Sequence, residues 1–213
     1  MAAQPVKAPA PQAPIRLHDR AADNLAFIRN TMLRASAFTA VPGWGMAAMG
    51  VIASAGGVVA AQRLSPDWWI WTWGAVAVLG CVVGVLAMVH KSVRTGQPVW
   101  KGAGRSAVFS FCPAILAGMM ITEMLYQHQL EVLMPGAWLM LYGAAVCAAG
   151  AFSVRIVPLM GVTFMVMGTF AYLGRHAVEP ILGPLLGADL FLIVGFGVIH
   201  IVFGLIIAWR YGG

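Results

Sequence analysis

Three ionisable side chains lie within apolar segments of this sequence: Glu123, Asp189 and His200. Burying such a group in hydrocarbon costs several kcal/mol unless it is paired or hydrated, so an ionisable residue in a membrane segment points to function. Carboxylates bind cations or share a proton, and an imidazole relays protons near neutral pH. We therefore predict that these three residues form a polar site within the membrane for a cation, a proton or a small polar solute.

Each of the three residues also has a structural alternative. Glu123, near the outer end of its segment, can extend its carboxylate to the membrane interface. Asp189 begins the sixth segment, where a carboxylate in the first helical turn favours the helix dipole. His200 lies near the midplane, where a neutral ring can simply donate to a carbonyl or a serine. If the third and sixth segments are neighbours, we expect both carboxylates to face one outer vestibule.

The histidines raise the question of haem. Two ligating rings must lie at one depth on facing helices. His90 and His200 differ in depth by roughly 13 Å at the rise of an α-helix, which argues against that pair. His128 and His176 flank outer loops and are expected to be wet. No cofactor is predicted, and a redox protein with haem or quinone stays as an alternative.

Metal and catalytic motifs do not emerge from the remaining residues. The cysteines lack the spacing of a zinc site or a disulfide framework, and each lies in an apolar stretch. No nucleotide loop or HExxH motif is present. The sequence therefore predicts no metal site and does not favour an enzyme. The three cysteines are Cys81, Cys112 and Cys147.

Composition identifies the elements that must position these residues. Of 213 residues, 61% are hydrophobic and 9% are charged, whereas soluble domains carry about 25% charged residues. Lipid must therefore solvate most of the chain, which predicts an all-α, polytopic bundle in the bilayer. Because a span takes ~20 residues, the chain has room for six. The predicted spans are 43–62, 68–89, 107–126, 133–153, 157–174 and 187–209.

The distribution of Lys and Arg predicts the orientation of the bundle. With the N-terminus inside, only Arg63 and Arg175 of the 13 basic residues fall outside. This bias in short loops follows the positive-inside rule, so both termini are expected in the cytoplasm. The basic residues are spread over loops without a nucleic-acid-binding motif, which argues against a nucleic-acid partner. The basic loop between the second and third spans, with Lys91 and Trp100, is expected to touch anionic lipid.

Three regions follow from this pattern. Residues 1–17, rich in Pro and Ala, are expected to form a disordered cytoplasmic tail. Residues 18–40 carry an apolar stripe together with several arginines, which predicts an amphipathic helix at the cytoplasmic interface. Residues 41–213 form the six-span transmembrane domain.

A weak internal similarity runs through the transmembrane domain at an offset of 93 residues. It aligns residues 42–57 with 135–150, and its glycine matches are Gly43/Gly136, Gly50/Gly143 and Gly57/Gly150. Because the first span starts inside and the fourth starts outside, a three-plus-three inverted repeat of the transporter type is one interpretation. Small-residue packing between helices is the other.

Two functions compete on these grounds. The first is a small transporter or channel-like protein of a bacterial inner-membrane type, with its site at the three intramembrane residues. The second is a non-catalytic membrane subunit or scaffold, because most of each span is apolar and suits packing against a membrane-protein partner or a second copy.

Overall fold

The computed structural model describes residues 23–28, 32, 38–65, 67–174, 177, 180–181 and 184–212. Its ordered elements are helices, and no strand occurs among these residues. Six stretches of this described part are long and apolar enough to cross a membrane. The predicted all-α, six-span, multi-pass membrane architecture is therefore confirmed.

The N-terminal region is a unit of its own that ends at Ser36. Residues 23–28 are helical, and residues 38–40 are not. The rest of the predicted 18–40 helix, and the 1–17 tail, lie outside the described residues. The amphipathic helix therefore stays a prediction.

The transmembrane unit contains the following helices. Helix α1 is Gly43–Ala60, α2 is Trp68–Thr95, α3 is Gly102–Gln127, α4 is Met134–Gly150 and α5 is Ile156–Leu173. A single 3-10 turn, Glu131–Leu133, precedes α4. The last span consists of α6 (Pro184–Leu192), a π-helical segment (Ile193–Ile199) and α7 (His200–Tyr211). The side where α1 begins and α7 ends is called the terminal side, and the opposite side the distal side.

Helices α2 and α3 are longer than predicted. Helix α2 continues through HKSVRT to Thr95, and α3 begins at Gly102 rather than at 107. Both helices thus continue beyond their apolar stretches through polar and small residues. Helix α2 ends where Gly96 adopts a left-handed φ of 65° and its N–H bonds back to the last turn.

Glycines bring α1 close to the last span. A Cβ added at Gly50 would lie 2.6 Å from the carbonyl oxygen of Gly197 and 2.8 Å from the backbone nitrogen of Ile201. Gly43 faces the backbone of Ala208, at the other end of the same antiparallel contact. Only a glycine permits this approach of two helix backbones.

The pair α4 and α5 is built in the same way. A Cβ at Gly143 would lie 2.6 Å from the Gly161 carbonyl oxygen, and one at Gly150 would lie 2.8 Å from the Pro158 nitrogen. The glycines that match at the offset of 93 residues thus face the last span in α1 but α5 in α4. This gives them a packing role in both helices, and the inverted repeat itself stays a prediction.

Helices α2 and α3 lie at the periphery of the bundle. Helix α2 packs on α1, and α3 packs on α4. Within their most apolar windows only 6% of the residues are buried, against 33–44% in the other four spans. Most of the surface of these two helices therefore faces the surroundings of the bundle.

The terminal side is held together by Lys91, which is 6% exposed. Its ammonium group donates to the carbonyl oxygens of Val41 at 2.9 Å, Tyr211 at 3.1 Å and Gly212. A cation at the C-terminal end of a helix satisfies free carbonyls and favours the helix dipole. The charge of Lys91 is therefore directed inward, and contact of the basic loop with anionic lipid stays a prediction.

Candidate functional site

The most polar feature of the bundle interior is the carboxylate of Asp189, which is 2% exposed. Its Oδ1 accepts hydrogen bonds from two indole groups, Trp69 Nε1 at 2.6 Å and Trp73 Nε1 at 3.2 Å. Trp69 and Trp73 are one turn apart on α2, so both indoles point at the same oxygen. A buried indole N–H needs an acceptor, and a buried carboxylate needs donors, so these groups satisfy one another.

The second carboxylate oxygen is paired with a cation. Arg63 Nη2 donates to Asp189 Oδ2 at 3.1 Å, and the Arg63 side chain keeps 25% of its surface exposed. Burial lowers the pKa of the Arg63 guanidinium, and the neighbouring carboxylate offsets part of that effect. The group stays charged near neutral pH, because an arginine pKa lies far above it.

Aromatic rings complete this site, which we call the Asp189 site: Asp189, Arg63, Trp69, Trp73 and Trp138. The Arg63 Cζ lies 5.5 Å from the centre of the Trp69 ring, within the range of a cation–π contact. The Trp69 ring is also stacked on Trp138, with centroids 5.4 Å apart. The site therefore offers a cation both a carboxylate oxygen and an aromatic face.

The placement of Asp189 differs from that of a helix cap. It is the sixth residue of α6, and both of its oxygens accept from side chains of other elements. The interpretation of a first-turn carboxylate that favours the helix dipole does not describe these contacts. Asp189 instead joins the last span to α2 and to the loop before it.

His200 occupies a second polar position deeper in the bundle and is 3% exposed. Its Nε2 lies 2.8 Å from the Tyr142 hydroxyl, and its Nδ1 lies 2.9 Å from the Phe196 carbonyl oxygen. A carbonyl can only accept, so Nδ1 carries the proton and Nε2 accepts from the tyrosine. His200 is a doubly hydrogen-bonded ring that ties α7 to α4.

Two phenylalanine rings lie close to His200, and a π-helical segment precedes it in the chain. The rings of Phe164 and Phe196 lie 5.0 and 6.2 Å from the imidazole. The π-helical segment Ile193–Ile199 separates His200 from α6 and Asp189. Such segments are uncommon and are frequent at functional sites. His200 lies eleven positions after Asp189, which corresponds to roughly 16 Å along the axis at the rise of an α-helix.

Glu123 does not join either position. It is exposed on α3, and its Oε1 accepts a hydrogen bond from Gln127 Nε2 at 2.7 Å. Within the described part of the chain, no hydrogen bond or ion pair links it to Asp189. The hydrogen bonds of the described residues join neither the two carboxylates to each other nor either of them to His200, and the shared vestibule of Glu123 and Asp189 stays a prediction.

The other histidines are dispersed. His90 and His128 are exposed, and His176 lies outside the described residues. No three His, Cys, Asp or Glu side chains of the described residues are grouped so that they could hold a metal ion. A redox protein with haem or quinone stays an alternative prediction.

Five residues of these two positions were not predicted as site residues: Arg63, Trp69, Trp73, Trp138 and Tyr142. From the sequence, tryptophans near the start of the second span are expected to anchor it at the membrane interface. Trp69 and Trp73 are instead buried. A signal was present for Arg63, because it is a basic residue on the side that the positive-inside rule keeps poor in Lys and Arg. A basic residue on that side is a reason to look for a buried acidic partner.

Comparison with known protein families, curated proteins and solved structures finds no match to this chain.

Proposed function

We propose that the protein is a small membrane transporter for a cation, with Asp189 as the cation-binding carboxylate. The observation that carries the proposal is the Asp189 site itself: an almost fully buried carboxylate whose charge is matched by one partly exposed guanidinium. Charged side chains inside membrane segments mark substrate and ion pathways more often than they serve packing.

In this proposal, His200 and Tyr142 form a second functional site of the transporter, which passes protons. His200 lies deeper than Asp189 along the last span, beyond the π-helical segment, and Tyr142 contacts it from α4. A histidine–tyrosine pair can pass a proton, because each partner both donates and accepts. In the proposal, cation movement past Asp189 is coupled to the protonation of His200.

The proposed orientation places the terminal side in the cytoplasm of a bacterial inner membrane. The support is the excess of Lys and Arg on that side, in loops short enough for the positive-inside rule to apply. The Asp189 site then opens toward the outside.

The test is cation-driven proton movement in proteoliposomes loaded with the pH-sensitive dye pyranine. Addition of Na⁺, K⁺ or ethylguanidinium chloride outside should change the internal pH for the wild type with at least one of the three. We expect Asp189→Asn to reduce the rate about tenfold or more, because a neutral amide cannot balance a cation.

Glu123→Gln is the matched control, since it removes an exposed carboxylate that is hydrogen-bonded to Gln127 on the same helix. Its rate should equal that of the wild type. Equal rates in Asp189→Asn and the wild type, or rates no higher than in empty liposomes, would refute the proposed function.

A second candidate function is a membrane subunit or scaffold. The observation that favours it is the small buried fraction of α2 and α3, which exposes apolar side chains such as Val82, Leu86, Leu116 and Met120. Lipid covers such surfaces in a transporter, whereas a partner helix covers them in a complex. Purification in mild detergent separates the two: a stoichiometric second protein supports the subunit, and a single band supports the transporter.

A further inference from the structure

The Asp189 site has one component that differs from the others in how it is held. Trp69, Trp73 and Asp189 are buried on helices, whereas Arg63 lies in the loop between α1 and α2 and is partly exposed. The two indole groups are neutral donors, so they do not balance the charge of the carboxylate. That balance comes from the guanidinium of a loop residue.

The backbone of Arg63 is held in an unfavourable conformation. Its φ is 49°, in the left-handed region that bulky side chains rarely adopt. The preceding turn is closed by hydrogen bonds from Gln62 to Val59 and from Arg63 to Ala60. The Arg63 side chain keeps 25% of its surface exposed, so solvent already reaches the group that would leave the site.

The contacts that Arg63 makes define what would replace it. Asp189 Oδ2 accepts from a cationic N–H at 3.1 Å, and the Trp69 ring faces a planar cation at 5.5 Å. Trp69 is also stacked on Trp138 and donates to Asp189 Oδ1, so its ring is held in place. A carboxylate oxygen beside a fixed aromatic face recognises guanidinium and substituted ammonium ions.

We propose that Arg63 is a tethered occupant of the Asp189 site, which an external guanidinium or ammonium compound displaces when it binds. The cation binds to Asp189 Oδ2 and the face of Trp69, and Arg63 turns out to solvent. This inference rests on the proposed function and names the class of its substrate.

Arg63 must then act as a competitor. Removing it should raise the apparent affinity for an external cation, because less of the site is occupied in the absence of ligand. The probe is ethylguanidinium chloride, with ethylurea as a neutral compound of the same shape. Tryptophan fluorescence and the thermal unfolding midpoint of the detergent-purified protein report binding.

In Arg63→Ala we expect ethylguanidinium to bind about tenfold or more tightly than in the wild type, with no response to ethylurea. The double variant Arg63→Ala with Asp189→Asn should not bind. Arg63→Lys keeps a tethered cation without the guanidinium fork and should bind with intermediate affinity, which provides a test even if Arg63→Ala fails to fold.

Equal affinity in the wild type, Arg63→Ala and Arg63→Lys would overturn the inference, as would an equal response to ethylurea or binding by the double variant. Its failure is distinguishable from that of the transporter. Tight ethylguanidinium binding without flux removes only the proposed function. Asp189-dependent Na⁺ or K⁺ flux, with equal ethylguanidinium affinity in the three proteins, removes only the tethered occupant.

Discussion

At the scale of single residues, the two oxygens of the buried Asp189 carboxylate accept hydrogen bonds from different kinds of donor. Its Oδ1 is held by two neutral indole donors from one helix, and its Oδ2 faces a cation from a loop. The rigid donors fix the carboxylate, whereas the loop residue balances its charge. A group held in this way can exchange its counter-ion without losing its position.

The contribution of this ion pair to stability can be measured with Asp189→Asn. The substitution leaves Arg63 without its carboxylate, which costs several kcal/mol for a fully buried pair. Because a quarter of the Arg63 side chain is exposed, we expect a smaller loss of about 2 kcal/mol in the free energy of unfolding. Reversible unfolding in mixed detergent micelles checks it. Glu123→Gln should change the same quantity by less than about 0.5 kcal/mol, and equal effects of the two would contradict the assignment.

The hydrogen bond between Tyr142 and His200 allows a double-mutant cycle. Tyr142→Phe removes the donor to Nε2, and His200→Leu removes the acceptor. We expect each single change to destabilise by about 1 kcal/mol or more, and the double variant to lose less than the sum. The coupling should be about 0.6 kcal/mol, the average for hydrogen bonds between membrane helices. Strict additivity would show that the two side chains act independently.

The sequence identified Asp189 and His200 as ionisable residues within spans, but it did not identify their partners. Trp69 and Trp73 carry the same signal as interface anchors, because an indole at a span end is amphipathic whether it faces lipid or the bundle. Their role depends on which face of α2 meets α6, a tertiary property. Glu123 shows the converse, since a carboxylate near a span end need not face the interior.

At the scale of elements, close packing depends on glycine positions that repeat every seven residues. Gly43, Gly50 and Gly57 line the contact of α1 with the last span, and Gly136, Gly143 and Gly150 line that of α4 with α5. Backbone contact of this kind brings helices near enough for dispersion forces to act along their length. It explains why the central spans are far more buried than α2 and α3.

A pair of glycine variants tests this packing. In Gly143→Ala the new methyl group would lie 2.6 Å from the Gly161 carbonyl oxygen, so the helices must separate. We expect a loss of about 2 kcal/mol, as for an overpacked core. Gly74→Ala is the matched control, because nothing lies within 4 Å of its Cβ position, and alanine is the better helix former by about 1 kcal/mol. A neutral Gly143→Ala in the same unfolding assay would contradict the close contact.

Element boundaries were predictable where the chain changes composition abruptly. Helix α1 begins at Gly43, as predicted. The residue before it, Pro42, has an extended backbone and therefore lies outside the helix. The C-terminal end of α2 and the N-terminal end of α3 were predicted less accurately. Hydropathy marks the edge of the hydrocarbon, whereas these helices continue past it through polar residues until Gly96 and Lys101.

At the scale of the whole molecule, the six spans follow from composition, because 61% hydrophobic residues leave no soluble alternative. Which helices form the core did not follow. All six spans are apolar all round, so no amphipathic stripe marks a buried face. The glycine spacing is the only pattern in the sequence that separates α1 and α4 from the peripheral helices.

The proposed orientation can be tested with single cysteines in a background where Cys81, Cys112 and Cys147 are replaced by alanine. His128 is on the distal side and Trp100 on the terminal side, and both are exposed. A membrane-impermeant maleimide added to intact cells should label His128→Cys and spare Trp100→Cys until the cells are broken. The reverse labelling pattern would mean that the bundle has the opposite orientation and that the Asp189 site opens to the cytoplasm.

The most direct test of the central claim is an electrical one. Proteoliposomes on a solid-supported membrane are switched from choline chloride in turn to Na⁺, K⁺ and ethylguanidinium chloride, and the transient current reports movement of charge. We predict a current with at least one cation that is retained in Glu123→Gln and lost in Asp189→Asn. Currents of equal size in Asp189→Asn and the wild type would show that the buried carboxylate is not the cation site.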